Sequence, residues 1–161
     1  MANNQTIINY KYNGARAMVI LHEKHLRACI DTWREAKTFR IKLPVTEDKD
    51  YESLETLLRH ILRSARGYMV WMCEKLNLPD PGIDMPPEPD SIENKADKYL
   101  VHLLEKWRST LAEVEQEKFD NTYKSNWGVY YCVDAMLEHA VMHPIRHEFQ
   151  LRNLIIEQKD N

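Results

Sequence analysis

The sequence of 161 residues is poor in glycine, with four in total, and no segment alternates convincingly between apolar and polar side chains. Such alternation marks half-buried strands, so we expect no β-sheet. No apolar run approaches the roughly 20 residues that span a bilayer. The polar start Met-Ala-Asn-Asn-Gln-Thr lacks the apolar core of a signal peptide. No basic block accompanies the net charge of −3, which argues against a nucleic-acid partner. We therefore expect a cytoplasmic protein that binds neither membranes nor nucleic acid.

Cysteine is also scarce. Cys29, Cys73 and Cys132 are an odd number, lie far apart and each falls within a helical pattern among apolar neighbours. Cysteines of this kind usually behave as small buried apolar groups in a reducing compartment. We expect three buried, reduced thiols without a catalytic role.

Four long segments have the apolar spacing of amphipathic helices. They cover residues 14–37, 51–76, 91–119 and 127–157. Asp50 is the expected N-cap of the second helix, and Asp90 with Glu93 is the expected capping box of the third. Four helices of this length are typical of a four-helix bundle, so the prediction is an all-α fold with one domain over residues 1–161.

The connection between the second and third helices contains five of the seven prolines, within residues 78–90. Thirteen residues of extended polyproline geometry, at roughly 3.1 Å each, would span about 40 Å. That distance matches a helix of about 26 residues at 1.5 Å each. The segment could therefore cross the length of the bundle and give an up-down-down-up order. The alternative is a surface loop in an up-down-up-down bundle.

The fourth segment carries His139, His143 and His147 at four-residue intervals. Side chains four residues apart lie on the same face of a helix, and a pair of such imidazoles can bind one metal ion. The apolar seam of this helix steps alternately by three and four residues and includes two of these histidines. Its members are Val133, Met136, Ala140, His143, His147, Gln150 and Leu154. Since buried polar groups need partners, we expect a ligand or hydrogen bonds inside the bundle.

His60 is the best candidate for a third ligand. With a crossover, the second and fourth helices would be antiparallel, and His60 would lie near the level of His143 and His147. A stripe of small or polar residues accompanies it: Ser53, Thr56, Ser64 and Gly67. Such a stripe leaves room for a pocket beside the imidazole. The alternative is that these histidines are hydrogen-bonded core residues.

With these features, the chain resembles the DinB/YfiT family of metal-dependent four-helix-bundle proteins. The resemblance rests on the segment Asn9-Tyr-Lys-Tyr-Asn13, one histidine early in the second helix, the long connection, and the pattern His143-x-x-x-His147-x-x-Gln150. It implies that His60, His143 and His147 form the metal triad. Many members have Arg-Gly where this chain has Glu148-Phe149, so no arginine role carries over there.

Residues around the triad are weaker candidates. His139 is rotated away from His147 by about 80° and is expected to pack beside the ligands rather than join them. Gln150 is expected either to orient a ligand or simply to pack. His25, together with His22, could line the pocket from the first helix or be a partly buried polar group.

A neutral three-histidine site suits a divalent first-row ion, with zinc and nickel both compatible. Such an ion could activate either water or a thiol. Characterised members of the family include S-transferases and isomerases that use low-molecular-weight thiols such as bacillithiol and mycothiol. The resemblance therefore implies a thiol transferase acting on a small electrophile, and homodimerisation. The alternatives are a hydrolase that uses metal-bound hydroxide and a non-enzymatic, stress-related metal-binding bundle.

Overall fold

The chain forms four long helices and one β-hairpin in the computed structural model, which describes residues 8–159. The helices are α1 (Asn13–Thr38), α2 (Leu54–Lys75), α3 (Pro89–Thr110) and α4 (Val133–Lys159). Two 3-10 helices span Lys49–Tyr51 and Gln116–Asp120, and the antiparallel strands are β1 (Thr122–Lys124) and β2 (Tyr130–Cys132). The prediction of a mostly helical chain is confirmed, whereas the expectation of no strand is wrong.

The apolar faces of all four helices meet in a single core, as amphipathic helices require. Its fully buried members include Leu26, Ile30, Leu58, Leu62, Met69, Leu103, Trp107, Leu137 and Leu151. Within residues 8–159, no helix is both long and apolar enough to cross a membrane.

Helix α3 ends at Thr110, nine residues before its predicted end. Leu111 and Val114 are buried as their apolar character suggested, but they lie in an irregular segment. The residues before α1 bind this region: the Lys11 amide donates to the Ala112 carbonyl at 3.0 Å. The apolar pattern thus indicated burial correctly and helical geometry wrongly, because a long-range backbone pairing competes with the helix here.

Helix α4 begins at Val133 rather than at the predicted Trp127. The intervening residues form the hairpin, whose turn is closed by a bond from the Ser125 amide to the Val129 carbonyl at 2.7 Å. Gly128 has a φ of +89°, which favours glycine. Turn chemistry of this kind, followed by two tyrosines, overrides the weak helical pattern.

Both predicted N-caps are wrong. The N-cap of α2 is Ser53, which forms a capping box with Thr56, and Asp50 lies upstream in the 3-10 helix. Helix α3 begins at Pro89 with Glu88 at the N-cap. Proline is favoured in the first helical turn because that turn does not need its amide hydrogen.

Polar contacts show which helix ends lie together. Near the C-terminal end of α1, the Trp33 indole donates to the Leu54 carbonyl at 2.6 Å. Lys37 pairs with Glu55 and, at 3.2 Å, with Glu93. The first turns of α2 and α3 therefore both lie beside the end of α1.

Helix α4 contacts α1 with like ends together. The Tyr12 hydroxyl donates to Asp134 Oδ2 at 3.3 Å at the beginning of both helices. Lys159 pairs with Glu35 at 3.2 Å near their ends.

The proline-rich segment is fixed to the helices that it connects. Arg66 of α2 donates to the Ile83 carbonyl at 2.8 Å, and the Tyr99 hydroxyl of α3 donates to the Asp84 carbonyl at 2.8 Å. His102 of α3 is partly buried and accepts a bond from the Asp84 amide at 3.0 Å.

The three cysteines are free, as expected, and two of them are fully buried. Burial raises the pKa of Cys29 to about 12 and that of Cys73 to about 11. Cys132 differs from the prediction, because it is only partly buried and lies in β2 rather than in a helix.

His22 is a buried polar residue that contributes nothing to the hydrogen-bond network of residues 8–159. It is 1% exposed, and neither ring nitrogen has a partner among these residues. Its ring stacks on Trp107 with 3.8 Å between centroids. Burial lowers the pKa of His22 to about 3. This pKa lies below the 6.5 of an exposed histidine. The contribution of the neutral His22 ring to the free energy of unfolding is therefore complete above pH 6.5, and it is lost as the pH falls toward 3.

We predict that His22→Phe raises the free energy of unfolding of the metal-free protein. Phenylalanine keeps the stacking and removes an unpartnered buried polar group, an effect of about 1–3 kcal/mol at pH 7.5. The difference in free energy of unfolding between the variant and the wild type should increase by about 2 kcal/mol at pH 5. At that pH, His22 is protonated in the unfolded wild type and not in the folded one. Urea unfolding at both pH values measures this, and an equal difference at the two pH values would contradict it.

Candidate metal centre

Helices α2 and α4 bring three histidines to one point. His60 lies in the second turn of α2, and His143 and His147 lie one turn apart on α4. The Nε2 atom of His143 is 3.1 Å from Nε2 of His60 and 3.3 Å from Nε2 of His147. One ring nitrogen from each histidine lies within 4.8 Å of the others. The three predicted ligands therefore form a compact cluster of nitrogen donors.

The spacing of these nitrogens fits a first-row metal. A zinc ion with Zn–N bonds of about 2.0–2.1 Å in tetrahedral geometry separates its nitrogen ligands by about 3.3–3.4 Å. The two Nε2 separations, 3.1 and 3.3 Å, are close to that value. The third pair, His60 and His147, has ring nitrogens within 4.8 Å of each other.

Hydrogen bonds on the opposite side of two rings determine their tautomers. His60 Nδ1 is 2.9 Å from Asp50 Oδ2, and His147 Nδ1 is 3.1 Å from Gln150 Oε1. Both oxygens are acceptors, so each Nδ1 carries a proton, and in the neutral ring this leaves Nε2 with a lone pair. A proton on His143 Nε2 could form a straight hydrogen bond to the Nε2 atom of either His60 or His147, but not to both. A cation between the rings would interact with all three Nε2 atoms.

Asp50 is the residue that sequence reasoning missed. The 3-10 helix before α2 carries it to the His60 ring, and Arg63 binds both carboxylate oxygens at 3.0 and 3.3 Å. A carboxylate behind a ligating histidine fixes the ring and increases its basicity. Its position just before a helix looked like an N-cap, and only the folded chain reveals the other partner.

Burial keeps the α4 pair uncharged. It lowers the pKa of His143 to about 2 and that of His147 to about 4, and the neighbouring imidazoles act in the same direction. Both rings are therefore neutral at pH 7 and offer lone pairs, the state that metal binding requires.

The buried face of α4 differs from the predicted seam beyond His147. Gln150 is exposed and Leu154 is half-buried, whereas Leu151 and Ile155 are buried in their place. The cause is that a straight helix has 3.6 residues per turn, while alternating steps of three and four assume 3.5. The drift places Gln150 at the rim, from where it still reaches His147.

A cleft of about 560 Å³ opens beside the cluster, with His60 and His143 at its edge. Its walls come from α2, α4 and the hairpin turn. Lining side chains include Ser64, Tyr68, Trp71, Trp127, Met136 and His139. The small residues Ser64 and Gly67 contribute to this space, in the stripe noted in the sequence.

The remaining histidine candidates lie elsewhere. His139 belongs to the cleft wall and stacks on Trp127 with 5.4 Å between ring centroids, outside the three-nitrogen cluster. His22 is buried against Trp107. His25 is partly buried on α1, and neither of these α1 histidines is among the residues that line the cleft.

The arrangement combines three histidine nitrogen donors with an adjacent open cleft. Comparison of the chain with protein families, with characterised proteins and with solved structures finds no match.

Proposed function

We propose that His60, His143 and His147 bind one divalent ion, zinc or nickel. The observation that carries this proposal is the convergence of three Nε2 atoms, two of them held as lone-pair donors by Asp50 and Gln150. Three neutral ligands leave the full charge of the ion uncompensated, which favours an anionic fourth ligand from the cleft.

We further propose that the protein transfers a low-molecular-weight thiol to a small electrophile, as the resemblance to the DinB/YfiT family implies. A bound divalent ion supplies one property: it stabilises the thiolate form of a thiol. The thiol gives its proton to solvent, and its sulfur then forms a bond to the electrophilic carbon. In a substitution, the leaving group departs into solvent with the electron pair of its bond to that carbon. In an addition, the electrons of the carbon's π bond take up a proton from solvent. The cleft beside His60 and His143 gives both reactants access.

The fold proposed with this function is a four-helix bundle in up-down-down-up order, with residues 78–88 crossing its length. Two sets of contacts support it. The first turns of α2 and α3 both lie beside the end of α1. The connecting segment is bound to both helices through Ile83 and Asp84. A cytoplasmic location and a homodimer stay predictions from the sequence and the resemblance.

Metal content tests the site directly. We expect about one zinc or nickel ion per chain in the wild type by mass spectrometry, and none in His60→Ala or His147→Ala. His25→Ala is the matched control, because it removes a histidine that does not line the cleft, and it should keep the ion. A wild type without metal after incubation with both ions would show that these are core histidines.

Asp50 is predicted to be a positioning residue that acts through His60. Asp50→Ala should weaken zinc affinity about 10–100-fold, the usual effect of losing a partner behind a ligating histidine. Glu52→Ala removes an exposed carboxylate from the same turn and should leave affinity unchanged. Competition with a chromophoric chelator measures both affinities. Equal losses of zinc affinity in Asp50→Ala and Glu52→Ala would contradict this role and indicate a general charge effect. An unchanged NMR resonance of the His60 ring in Asp50→Ala would contradict it as well.

Activity assays distinguish thiol transfer from hydrolysis and from a non-enzymatic role. The metal-loaded wild type should accelerate the reaction of 2-mercaptoethanol with monochlorobimane, and His147→Ala should not, because it lacks the ion that stabilises the thiolate. Hydrolysis of p-nitrophenyl acetate without any thiol would instead favour a hydrolase. Bound metal with neither activity would favour a non-enzymatic metal-binding protein.

A further inference from the structure

The cleft beside the candidate metal centre has an aromatic wall. Tyr68 and Trp71 of α2, Trp127 of the hairpin turn and His139 of α4 all line this space. Trp127 stacks on the His139 ring with an interplanar angle of 28°, and Tyr68 meets His139 edge-on at 5.4 Å. Tyr68, Trp127 and His139 therefore form one contiguous aromatic cluster in the wall of a cleft that His60 and His143 also line.

Trp127 is held in place although it is 49% exposed. The turn that carries it is closed between Ser125 and Val129, with Gly128 in the conformation that favours glycine. The Trp71 indole donates to the Lys124 carbonyl at 3.3 Å, which ties the hairpin to α2. A large aromatic surface thus stays partly exposed at the mouth of the cleft, where a bound molecule could cover it.

The charge of the cleft and its free space limit the kind of molecule that can bind there. No carboxylate is among the described residues that line the cleft, and its one permanent cation, Arg63, is paired with Asp50. The cleft therefore offers a cationic group no carboxylate with which to form an ion pair. At Gly67, an added Cβ would meet no atom within 4 Å, so the wall is open at this position.

We infer that the cleft binds a flat aromatic ring on the molecule coordinated at the metal, and that Trp127 is a specificity-determining residue. The inference rests on the proposed thiol-binding metal site and identifies its substrate class as aryl-bearing. The volume of about 560 Å³ lies within the range of small-molecule sites. Offset or edge-to-face contacts with Trp127 and Tyr68 favour a ring over an aliphatic chain of similar size.

Thiolate binding to the cobalt-loaded protein tests this inference without requiring turnover. The probes are benzyl mercaptan and 2-mercaptoethanol, and the signal is the near-ultraviolet charge-transfer band of a thiolate on cobalt(II). In the wild type, benzyl mercaptan should bind at least about tenfold more tightly. Trp127→Ala should weaken benzyl mercaptan about tenfold and leave 2-mercaptoethanol unchanged.

Two further variants distinguish a specific effect of the cleft on thiol binding from a general disturbance of the fold. Gly67→Leu should abolish the preference for benzyl mercaptan, because its side chain fills the cleft, while cobalt content and 2-mercaptoethanol binding are preserved. Val129→Ala alters an exposed residue of the same turn that does not line the cleft, and should change neither affinity. Gly67→Leu also keeps the test decisive if Trp127→Ala fails to fold.

The outcomes separate the two proposals. Bands from both thiols with equal affinity, or a preference that survives Trp127→Ala and Gly67→Leu, would overturn the aromatic cleft and leave the metal site intact. Bound cobalt with no band from either thiol would overturn the proposed thiol chemistry, and the inference with it. Loss of the aryl preference in both variants, with Val129→Ala unchanged, is the supporting result.

Discussion

The packing of α2 against α4 is the contact on which the candidate site depends. It places His60 Nε2 3.1 Å from His143 Nε2, and burial disfavours a charge on the His143 ring. Ring nitrogens whose lone pairs converge repel one another unless a proton or a cation lies between them. The arrangement is therefore costly in the absence of a ligand, and the surrounding fold must hold the two helices together to maintain it.

Segments outside the long helices complete this arrangement. The 3-10 helix before α2 brings Asp50 behind His60, and the hairpin before α4 brings Trp127 over His139. The helices provide rigid positions for the donors, while the irregular segments determine ring orientation and the shape of the adjacent cleft. Such a division agrees with the general tendency of loops on a rigid scaffold to carry specificity.

Periodicity was sufficient to predict four helices and to select His60, His143 and His147 as neighbours. Those predictions depend on spacing within each helix and on one assumption about helix direction. Asp50 and Trp127 could not be assigned in this way, because their roles arise from contacts with residues ten or more positions away. The hairpin was missed for a different reason, because the local turn at Gly128 and the tyrosines after it outweigh the weak helical pattern of this segment. The end of α3 was misplaced because the pairing of Lys11 with Ala112 is a long-range contact that local helical preference does not reveal.

The burial of Cys29 and Cys73 has a consequence for a protein that would encounter reactive electrophiles. Only a thiolate attacks such compounds rapidly, and these two side chains, with pKa values of about 12 and 11, remain protonated at cellular pH. Their sulfur atoms are also shielded from solvent. Helix packing thus protects both thiols from alkylation, so that a soft electrophile in the cleft would meet an added thiol before either of these sulfurs.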